Sequence, residues 1–239
     1  MMDARTNQAG LDEIARTLTL DRRRPISDQI YDVLRHSIVT LRLMPGASIS
    51  ESSLCKLTGA SRTPVRAALQ RLTEEGLIDV FPQQGSFVSL ISLRSIRDSH
   101  FIRCALESAI LRAAAKTWTP KHSAGAREVL RLQDEAISLG ELDRFHEEDE
   151  HFHRLFAVYA DLEGVLATVL ANKARLTRFY RLFGKPTRLP AVPAEHRAIV
   201  DALDANDAEL AVRRLEDHLN KIFDMLRQLP EAYQPYLTD

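Results

Sequence analysis

Two arginines open a predicted helix in the hexapeptide Ser61-Arg62-Thr63-Pro64-Val65-Arg66. Ser61 is a suitable N-cap residue, and Pro64 falls in the first turn, where a missing N–H costs nothing. Arg62 and Arg66 are four residues apart, so they project from one face of the helix. Guanidinium groups at the start of a helix can pair with phosphates and with guanine edges. The pattern predicts contact with nucleic acid, and an ordinary capped, solvated helix is the alternative.

A second set of residues has the chemistry to bind a metal ion. Asp149 and His153 are four residues apart on one predicted helix, and His196 and His218 lie on two later helices. One carboxylate and three imidazoles are competent ligands for a first-row divalent ion, and side chains on facing helices converge in the core of a bundle. The spacing alone is weak evidence, because a single histidine on an amphipathic helix is more often a surface residue or a hydrogen-bonded core residue.

The elements around the arginine pair predict a winged helix-turn-helix. Leu54–Ala60 is typical of a short helix that ends at Gly59, and the next helix runs from Arg62 to about Glu75. Two predicted strands, 77–81 and 86–90, follow, and residues 82–85 join them as a hairpin loop. With the helix that precedes this segment, three helices and a β-hairpin place the second helix of the turn against DNA.

The elements around the candidate metal ligands are predicted to be helices. From Leu93 onward, glycine and proline separate long stretches with apolar residues at helical spacing, and no strand pattern is found in this half. An antiparallel all-α bundle is the simplest architecture for such a series. The predicted helices are Ser95 to about Lys116, 122–139, 143–160, 163–183, 193–205 and 207–228.

The chain of 239 residues is therefore predicted to be mainly α, with two domains. Residues 1–24 form a polar, arginine-rich, flexible N-terminal arm, and residues 25–92 form the winged helix-turn-helix. Residues 93–229 form the helical domain, and residues 230–239 form a C-terminal tail.

Composition excludes several classes of protein. The formal net charge of −1 argues against a general nucleic-acid coat, and only 9 glycines disfavour glycine-rich nucleotide loops. No apolar run approaches the roughly 20 residues that span a bilayer, and no signal-peptide core is visible near the N-terminus. The two cysteines, Cys55 and Cys104, form no disulfide framework, and they do not have the spacing of zinc ligands. We expect a cytoplasmic protein that does not contact membranes.

The N-terminal half resembles the winged-helix domain of the GntR family of bacterial transcription regulators. The resemblance is carried by Leu43-Met44-Pro45-Gly46, Ser50-Glu51, Leu54, the hexapeptide 61–66, Ala68-Leu69, Arg71-Leu72, Glu75-Gly76-Leu77 and 84–88. The helical half resembles the FCD domain of the FadR-type subfamily. That resemblance is carried by Ile102-Arg103, Leu106-Glu107, Asp149-Glu150-His151-Phe152-His153, Glu195-His196-Arg197-Ala198-Ile199 and Asp217-His218-Leu219.

The first resemblance implies a homodimer that binds a palindromic double-stranded DNA operator. The residues that it implies for DNA contact are Ser61, Arg62, Thr63, Pro64, Arg66, Arg71, Gln84 and Gly85. The family often has basic residues near Ser52 and Gln84, where this chain is neutral. Specificity is therefore expected to depend more heavily on Arg62 and Arg66 than the family pattern alone suggests.

The second resemblance implies that Asp149, His153, His196 and His218 bind a divalent metal ion, zinc or nickel, and that a small organic acid binds nearby. Arg103 is the expected anchor of the effector carboxylate, and a salt bridge to Glu107 is the alternative reading of that residue. Further effector-binding candidates are Arg178, Tyr180 and Arg181.

The predicted function is that of an effector-controlled transcription regulator, with repression as the expected mode and with no catalytic residues or enzymatic activity. Two alternatives remain open from the sequence. One is a metal-sensing regulator in which the ion itself is the signal. The other is a metal-dependent, hydrolase-like domain fused to a DNA-binding module, since Asp149 and three histidines with an open position could activate water.

Overall fold

The computed structural model describes residues 20–21, 23–184 and 188–239, so most of the predicted N-terminal arm lies outside the described residues. The chain folds into two compact units. The first comprises the described residues up to Ile96 together with Ala174–Leu182 and Pro230–Asp239, and the second comprises Arg97–Lys173 and Phe183–Leu229. The sequence predicts instead that residues 174–182 belong to the helical domain and that 230–239 form a separate tail, so the unit boundaries differ from the predicted ones at these two segments.

The first unit contains the predicted helix-turn-helix and hairpin. Its elements are α1 (Ile26–Val39), β1 (Ser48–Ile49), α2 (Glu51–Thr58), α3 (Arg62–Glu74), β2 (Ile78–Phe81), β3 (Gly85–Val88) and β4 (Ile91–Ser92). Gly59 ends α2 with a φ of 66°, a left-handed conformation that glycine adopts without steric cost. Helix α3 buries Val65, Ala68, Leu69 and Leu72, and this spacing is that of one helical face.

The hairpin is part of a three-stranded antiparallel sheet of order β1-β3-β2. Ile78 pairs with Val88 and Phe81 pairs with Gly85, which fixes the register of the wing. The core of the unit is formed by apolar residues of α1, α2, α3 and the sheet, including Leu34, Leu54, Leu72 and Val88. The prediction of a winged helix-turn-helix is confirmed.

The second unit is helical, which confirms the predicted fold class. Its helices lie within α4 (Leu93–Ala115), α5 (Pro120–Leu139), α6 (Leu142–Tyr159), α7 (Glu163–Phe183), α8 (Ala191–Asp204), α9 (Ala208–Leu219) and α10 (Lys221–Arg227). Helix α5 packs against α6 and α8, and α8 packs against α9. The buried core includes Leu111, Leu130, Phe152, Ile199 and Leu215.

Two predicted details of this half are wrong. The single helix expected over 207–228 is divided at Asn220, where the Phe223 N–H bonds to the Asn220 carbonyl at 3.0 Å and tightens the turn. The C-terminal half also contains a strand: a 3₁₀ helix (Glu231–Tyr236) leads to β5 (Leu237–Thr238), which pairs in parallel with β4. Two residues are too few to show the alternation by which a strand is detected.

In the part of the chain that the structure describes, no helix combines the length and the apolar character needed to cross a membrane.

Candidate metal centre and DNA-reading surface

The four predicted metal ligands come together in the second unit. Asp149 and His153 are one turn apart on α6, His196 is on α8 and His218 is near the end of α9. One ligand atom from each residue can be chosen so that all four lie within 4.8 Å of one another. His153 and His196 are buried. Residues separated by up to 69 positions in sequence therefore meet at one point, as expected for ligands on facing helices.

The Nε2 atoms of the histidines point toward the centre of this cluster. The Nε2 atoms of His196 and His218 are 3.3 Å apart. The Oδ1 atom of Asp149 lies 3.8 Å from Nε2 of His196 and 4.0 Å from Nε2 of His153. The His196 ring also stacks on Phe152, with 4.1 Å between centroids and 14° between planes, which holds its orientation.

The opposite ring nitrogen of each histidine lies beside a side-chain oxygen. Nδ1 of His153 is 2.7 Å from Oε2 of Glu107. Nδ1 of His196 is 3.1 Å from Oε1 of Gln133, and Nδ1 of His218 is 2.7 Å from Oε2 of Glu195. An acceptor at Nδ1 favours the tautomer with its proton there and directs the Nε2 lone pair inward. This arrangement is typical of histidines that bind metal.

The donor set and its spacing fit a divalent ion. Tetrahedral bonds of about 2.0–2.1 Å place ligand atoms about 3.4 Å apart, and the closest separations in the cluster are 3.3 and 3.8 Å. Within the described ranges, neither ring nitrogen of the buried His153 makes a hydrogen bond of good geometry, although Nδ1 lies 2.7 Å from Oε2 of Glu107. A metal ion bound by Asp149, His153, His196 and His218 would satisfy the Nε2 atom. Imidazole and carboxylate ligands suit zinc and nickel.

Two buried cations lie beside the acidic members of this region. Nε of Arg103 is 2.7 Å from Oε1 of Glu107, in a salt bridge whose side chains are 4% and 7% exposed. Nζ of Lys173 is 3.8 Å from Oδ2 of Asp149. The salt bridge to Glu107, which was the alternative reading of Arg103, is therefore present, and Glu107 in turn lies beside His153. The role of Arg103 as the effector anchor stays a prediction.

These contacts shift the ionisation of the buried groups. Burial opposes ionisation of Asp149, but Lys173, His153 and His196 outweigh it and hold the pKa of Asp149 below its usual value. Burial likewise opposes ionisation of Glu107, and Arg103 and His153 reverse that effect and lower its pKa. Burial lowers the pKa of His196. The lowered pKa of Asp149 favours its anionic form and the lowered pKa of His196 favours its neutral form, which are the forms that bind a metal. The lowered pKa of Glu107 favours a carboxylate beside Nδ1 of His153.

The other effector-binding candidates belong to the first unit. Arg178 is buried, and its Nη2 donates to the carbonyl oxygen of Ser89. Burial lowers the pKa of Arg178 to about 10, so the guanidinium remains charged at neutral pH. Tyr180 and Arg181 belong to the same unit. Of the four candidates, the structure brings Arg103 to the metal cluster.

The residues predicted to contact DNA at the start of α3 are exposed. Ser61, Arg62 and Thr63 face solvent, and Pro64 is partly buried. Ser61 occupies the N-cap position, but its side chain makes no capping hydrogen bond, contrary to the expectation from its residue type. The Ser61 hydroxyl therefore does not accept a hydrogen bond from the N–H groups in the first turn of α3.

Two arginines of α3 are held by acidic residues. Nε of Arg66 lies 3.0 Å from Oε2 of Glu51 at the start of α2. Nη1 of Arg71 lies 2.7 Å from Oδ1 of Asp28, and its guanidinium carbon lies 3.8 Å from the centroid of the Tyr31 ring. In contrast, Arg62 makes no ion pair with any residue that the structure describes.

The wing presents the other two predicted DNA contacts. Gln84 is exposed in the turn between β2 and β3, and Gly85 is exposed at the start of β3. The backbone is left-handed at Gln83, with φ of 64°, and at Gly85, with φ of 114°. No atom lies within 4 Å of a Cβ placed on Gly85, so backbone conformation rather than lack of space favours glycine there.

Several residues of the metal region were missed from the sequence, namely Gln133, Glu195 and Lys173. Glu195 lies beside His196 in sequence but accepts from His218. His100 is buried and lies 3.0 Å from Oδ1 of Asn220. Gln133 could have been noticed, since it interrupts the apolar face of α5 formed by Ala126, Val129, Leu130 and Ala136.

Comparison with protein families identifies both units. Residues 26–88 match the bacterial regulatory proteins of the gntR family, and residues 98–221 match the FCD domain. The chain belongs to the GntR family of transcription regulators. Its FCD domain fits the FadR-type subfamily, as the sequence resemblance predicted. Members of this family are DNA-binding transcription regulators, so this part of the predicted function is confirmed.

Individual relatives extend over most of the GntR-family chain. The chain is 33% identical over 221 residues to the HTH-type transcriptional repressor RspR of Escherichia coli K12. The aligned region covers 92% of this chain and 97% of RspR. The chain is 31% identical over 194 residues to the Nta operon transcriptional regulator of Aminobacter aminovorans, covering 80% and 90%. The structure of E. coli McbR/YncC has the same fold, with a TM-score of 0.70, 22% identity, and coverage of 85% and 97%.

Proposed function

We propose that this GntR-family regulator is a homodimeric repressor of a palindromic operator, controlled by a small carboxylate effector that binds beside a divalent metal ion. The observation that carries the proposal is the convergence of Asp149 and three histidines, each of which has a side-chain oxygen within 3.1 Å of its Nδ1 atom. DNA binding is the property of the family, and the metal and the effector are the additions proposed for this chain.

The DNA-reading part of the proposal rests on the exposed start of α3 and on the wing. Arg62 is the arginine best placed to read a base, because it is exposed and is not held by an acid among the described residues. Arg66 must leave Glu51, or share it, to contact DNA. Ser61 and Thr63 are assigned to phosphate, and Gln84 and Gly85 to the backbone or minor groove.

The effector part of the proposal rests on the charge beside the ligands. Asp149, His153, His196 and His218 would hold the ion, which when bound supplies a Lewis-acidic position for a carboxylate oxygen. Arg103 provides a guanidinium that can pair with the same carboxylate, while Glu107 keeps it in place. An anion in this region would contact side chains from several helices at once. Its binding would favour one arrangement of the dimer over another.

Dimerisation gives such a change its effect on DNA. In a dimer, the two winged domains read two half-sites whose centres are about one helical turn of DNA apart, roughly 34–36 Å. The two domains must keep this separation to bind both half-sites at once. A small displacement of one domain relative to the other therefore weakens operator binding. Release of the operator on effector binding is the mode we propose.

A mutational test addresses the DNA contacts. An operator is first selected from random duplexes with the wild-type protein, and Arg62→Ala is compared with wild type by gel shift. Loss of one bidentate arginine–guanine contact should weaken specific binding by about 1–3 kcal/mol, or roughly 5- to 150-fold. Arg213→Ala, at an exposed arginine of α9, is the control and should bind normally. Wild-type affinity of Arg62→Ala would refute the assignment.

A thermal-shift and DNA-binding screen addresses the effector. Small organic acids are tested on chelator-treated and on zinc- or nickel-loaded protein, and acids that stabilise only the loaded protein should also change operator binding. A response of operator binding to metal alone, at constant acid, would instead support a metal sensor. Turnover of an acid or ester by the loaded protein would support the hydrolase-like alternative. If no acid stabilises the metal-loaded protein, the proposal of a carboxylate effector is refuted.

A further inference from the structure

We propose that Arg175 and Arg178 are positioning residues for DNA binding, and that together they fix the angle between the recognition helix α3 and the wing. Helix α3 and the wing are called the two reading elements below. The inference rests on the proposed function, in which both reading elements contact DNA. Both arginines lie on α7, in the segment Ala174–Leu182 that belongs to the first unit. Arg178 is thereby assigned to DNA binding rather than to the effector site that the sequence predicts for it.

Arg175 binds the C-terminal end of α3. Its Nη2 atom donates to the carbonyl oxygen of Glu75 at 3.1 Å, although the two residues are 100 positions apart in sequence. The last carbonyl groups of a helix have no partner within the helix and carry its partial negative charge, so a guanidinium group is favourable there. Gly76 follows with a φ of 68°, and a Cβ atom on it would lie only 3.1 Å from Nη2 of Arg175. The glycine therefore leaves room for the guanidinium.

Arg178 binds the base of the wing. It is 2% exposed, and its Nη2 donates to the carbonyl oxygen of Ser89, the residue that follows β3. The N–H of Ser89 donates in turn to the carbonyl oxygen of Leu77 at 3.0 Å, just before β2, so Ser89 joins the two ends of the hairpin. Burial lowers the pKa of Arg178, and the carboxylate of Asp79 on β2 acts against this effect. The guanidinium therefore interacts with both strands of the wing.

Each arginine acts at the end of a reading element that is far from its DNA contact. Helix α3 has 13 residues and is about 20 Å long, with Arg62 at its exposed start and Glu75 at its other end. A strand rises about 3.4 Å per residue, so Gln84 lies roughly 17 Å from Ser89 along the wing. A rotation of about 10° at either anchor would move the DNA-contacting end by roughly 3 Å, which is enough to break a hydrogen bond.

The two contacts come from one face of one helix. Arg175 and Arg178 are three residues apart on α7, so their side chains are neighbours on its surface. Because the backbone of a helical turn is rigid, the carbonyl groups of Glu75 and Ser89 are held by donors at a fixed spacing. Neither arginine belongs to the apolar core of the unit, which is formed by α1, α2, α3 and the sheet. Their loss should therefore change the orientation of the reading elements while leaving this core in place.

The test measures the two reading elements separately in the full chain. An operator is selected from random duplexes with the wild-type protein. Arg175→Met and Arg178→Met are compared on it with the control Arg213→Met, whose arginine is exposed on α9. Methylation protection of guanine N7 reports the major-groove contacts of α3, and hydroxyl-radical footprinting reports the sugar and minor-groove contacts of the wing. Gel shift gives the affinity for the operator and for an unrelated duplex.

Each methionine variant should bind the operator about tenfold more weakly, because it loses a hydrogen bond from a charged group. Binding to the unrelated duplex should change much less, since it depends on phosphate contacts of other basic residues. Arg178→Met should lose the hydroxyl-radical protection of the wing and keep the guanine protection, and Arg175→Met should show the reverse. Arg175→Lys and Arg178→Lys, which retain a cationic donor, should recover part of the affinity. Arg213→Met should bind as wild type does.

Thermal unfolding separates positioning from stability, because a variant that is only less stable still binds normally well below its melting temperature. A folded methionine variant with wild-type affinity and footprint overturns the inference, as does an equal loss of operator and unrelated-duplex binding. The same footprint change in both variants overturns the assignment of one arginine to each reading element. If wild type protects neither guanines nor sugars of the selected operator, the proposed DNA contacts fail and the inference fails with them. If a methionine variant does not fold, the glutamine variant replaces it, and failure of both to fold indicates a purely structural role and overturns the inference.

Discussion

Replacing Gln133 with methionine should weaken metal binding even though this residue is not a ligand. Gln133 is completely buried on α5. Its Nε2 donates to the carbonyl oxygen of Glu148 at 3.1 Å, so the amide orientation leaves Oε1 facing Nδ1 of His196 at 3.1 Å. This oxygen fixes the proton of His196 on Nδ1 and leaves the Nε2 lone pair for the metal. Methionine has a similar volume but no comparable acceptor.

The magnitude follows from the two consequences of the substitution. Loss of an outer hydrogen-bond partner of a metal-binding histidine typically costs 10- to 100-fold in metal affinity, which is about 1.4–2.7 kcal/mol. The metal-free protein also loses stability, because the buried Nδ1–H of His196 is left without an acceptor, at a cost of about 1–3 kcal/mol. A chain of this size shifts its melting temperature by about 2–4 °C for each kcal/mol.

Chelator competition with zinc gives the affinity, and thermal unfolding of chelator-treated protein gives the stability. Gln70→Met is the matched control, since Gln70 is exposed on α3 and bonds only to Glu74 among the described residues. Circular dichroism confirms that both variants remain helical. If Gln133→Met folds and binds zinc as tightly as wild type, the reasoning is refuted. The hydrogen bond at Nδ1 of His196 would then not be needed to keep the Nε2 lone pair available to the metal.

Three further outcomes are expected. Gly59→Ala should destabilise the protein by about 1–2 kcal/mol, because its φ of 66° is left-handed, whereas Gly164→Ala, in open space within α7, should not lower the melting temperature. Glu51→Gln should tighten DNA binding several-fold at low salt by releasing Arg66, as measured by fluorescence anisotropy, and weaker binding would contradict this. Chelation should lower the melting temperature by about 5–10 °C, since a ligand at 100 times its dissociation constant stabilises by about 2.7 kcal/mol, and zinc should restore it.

The sequence predicted the elements that a local pattern determines. The turn at Gly59, the exposed arginines of α3 and the hairpin that follows are all encoded by neighbouring residues, and their positions agree with the structure to within a residue or two. Asp149 and His153 were recognisable as a pair because one helical turn separates them. Their meeting with His196 and His218 depends on how helices pack, and the family resemblance, rather than the spacing, indicated it.

What the sequence did not reveal has a common physical cause. Glu195 is adjacent to a predicted ligand, His196, yet it serves a different histidine, His218, on the next helix. Lys173 is unremarkable in a helix that carries many basic residues, and only its burial beside Asp149 distinguishes it. These contacts join residues far apart along the chain, so no periodicity or spacing records them. Gln133 is the partial exception, because a polar residue on an apolar helical face is visible in the sequence.

The acceptors behind the histidines connect the metal region to the rest of the second unit. Glu107 joins α4 to His153 on α6, Gln133 joins α5 to His196 on α8, and Glu195 joins α8 to His218 on α9. Each contact is between helices rather than within one, so an ion that fixes the three rings also restrains how five helices pack. Occupancy of the site should therefore change the stability of the whole unit rather than of one loop. A unit whose packing depends on the bound ligand is the physical requirement for a domain that controls DNA binding.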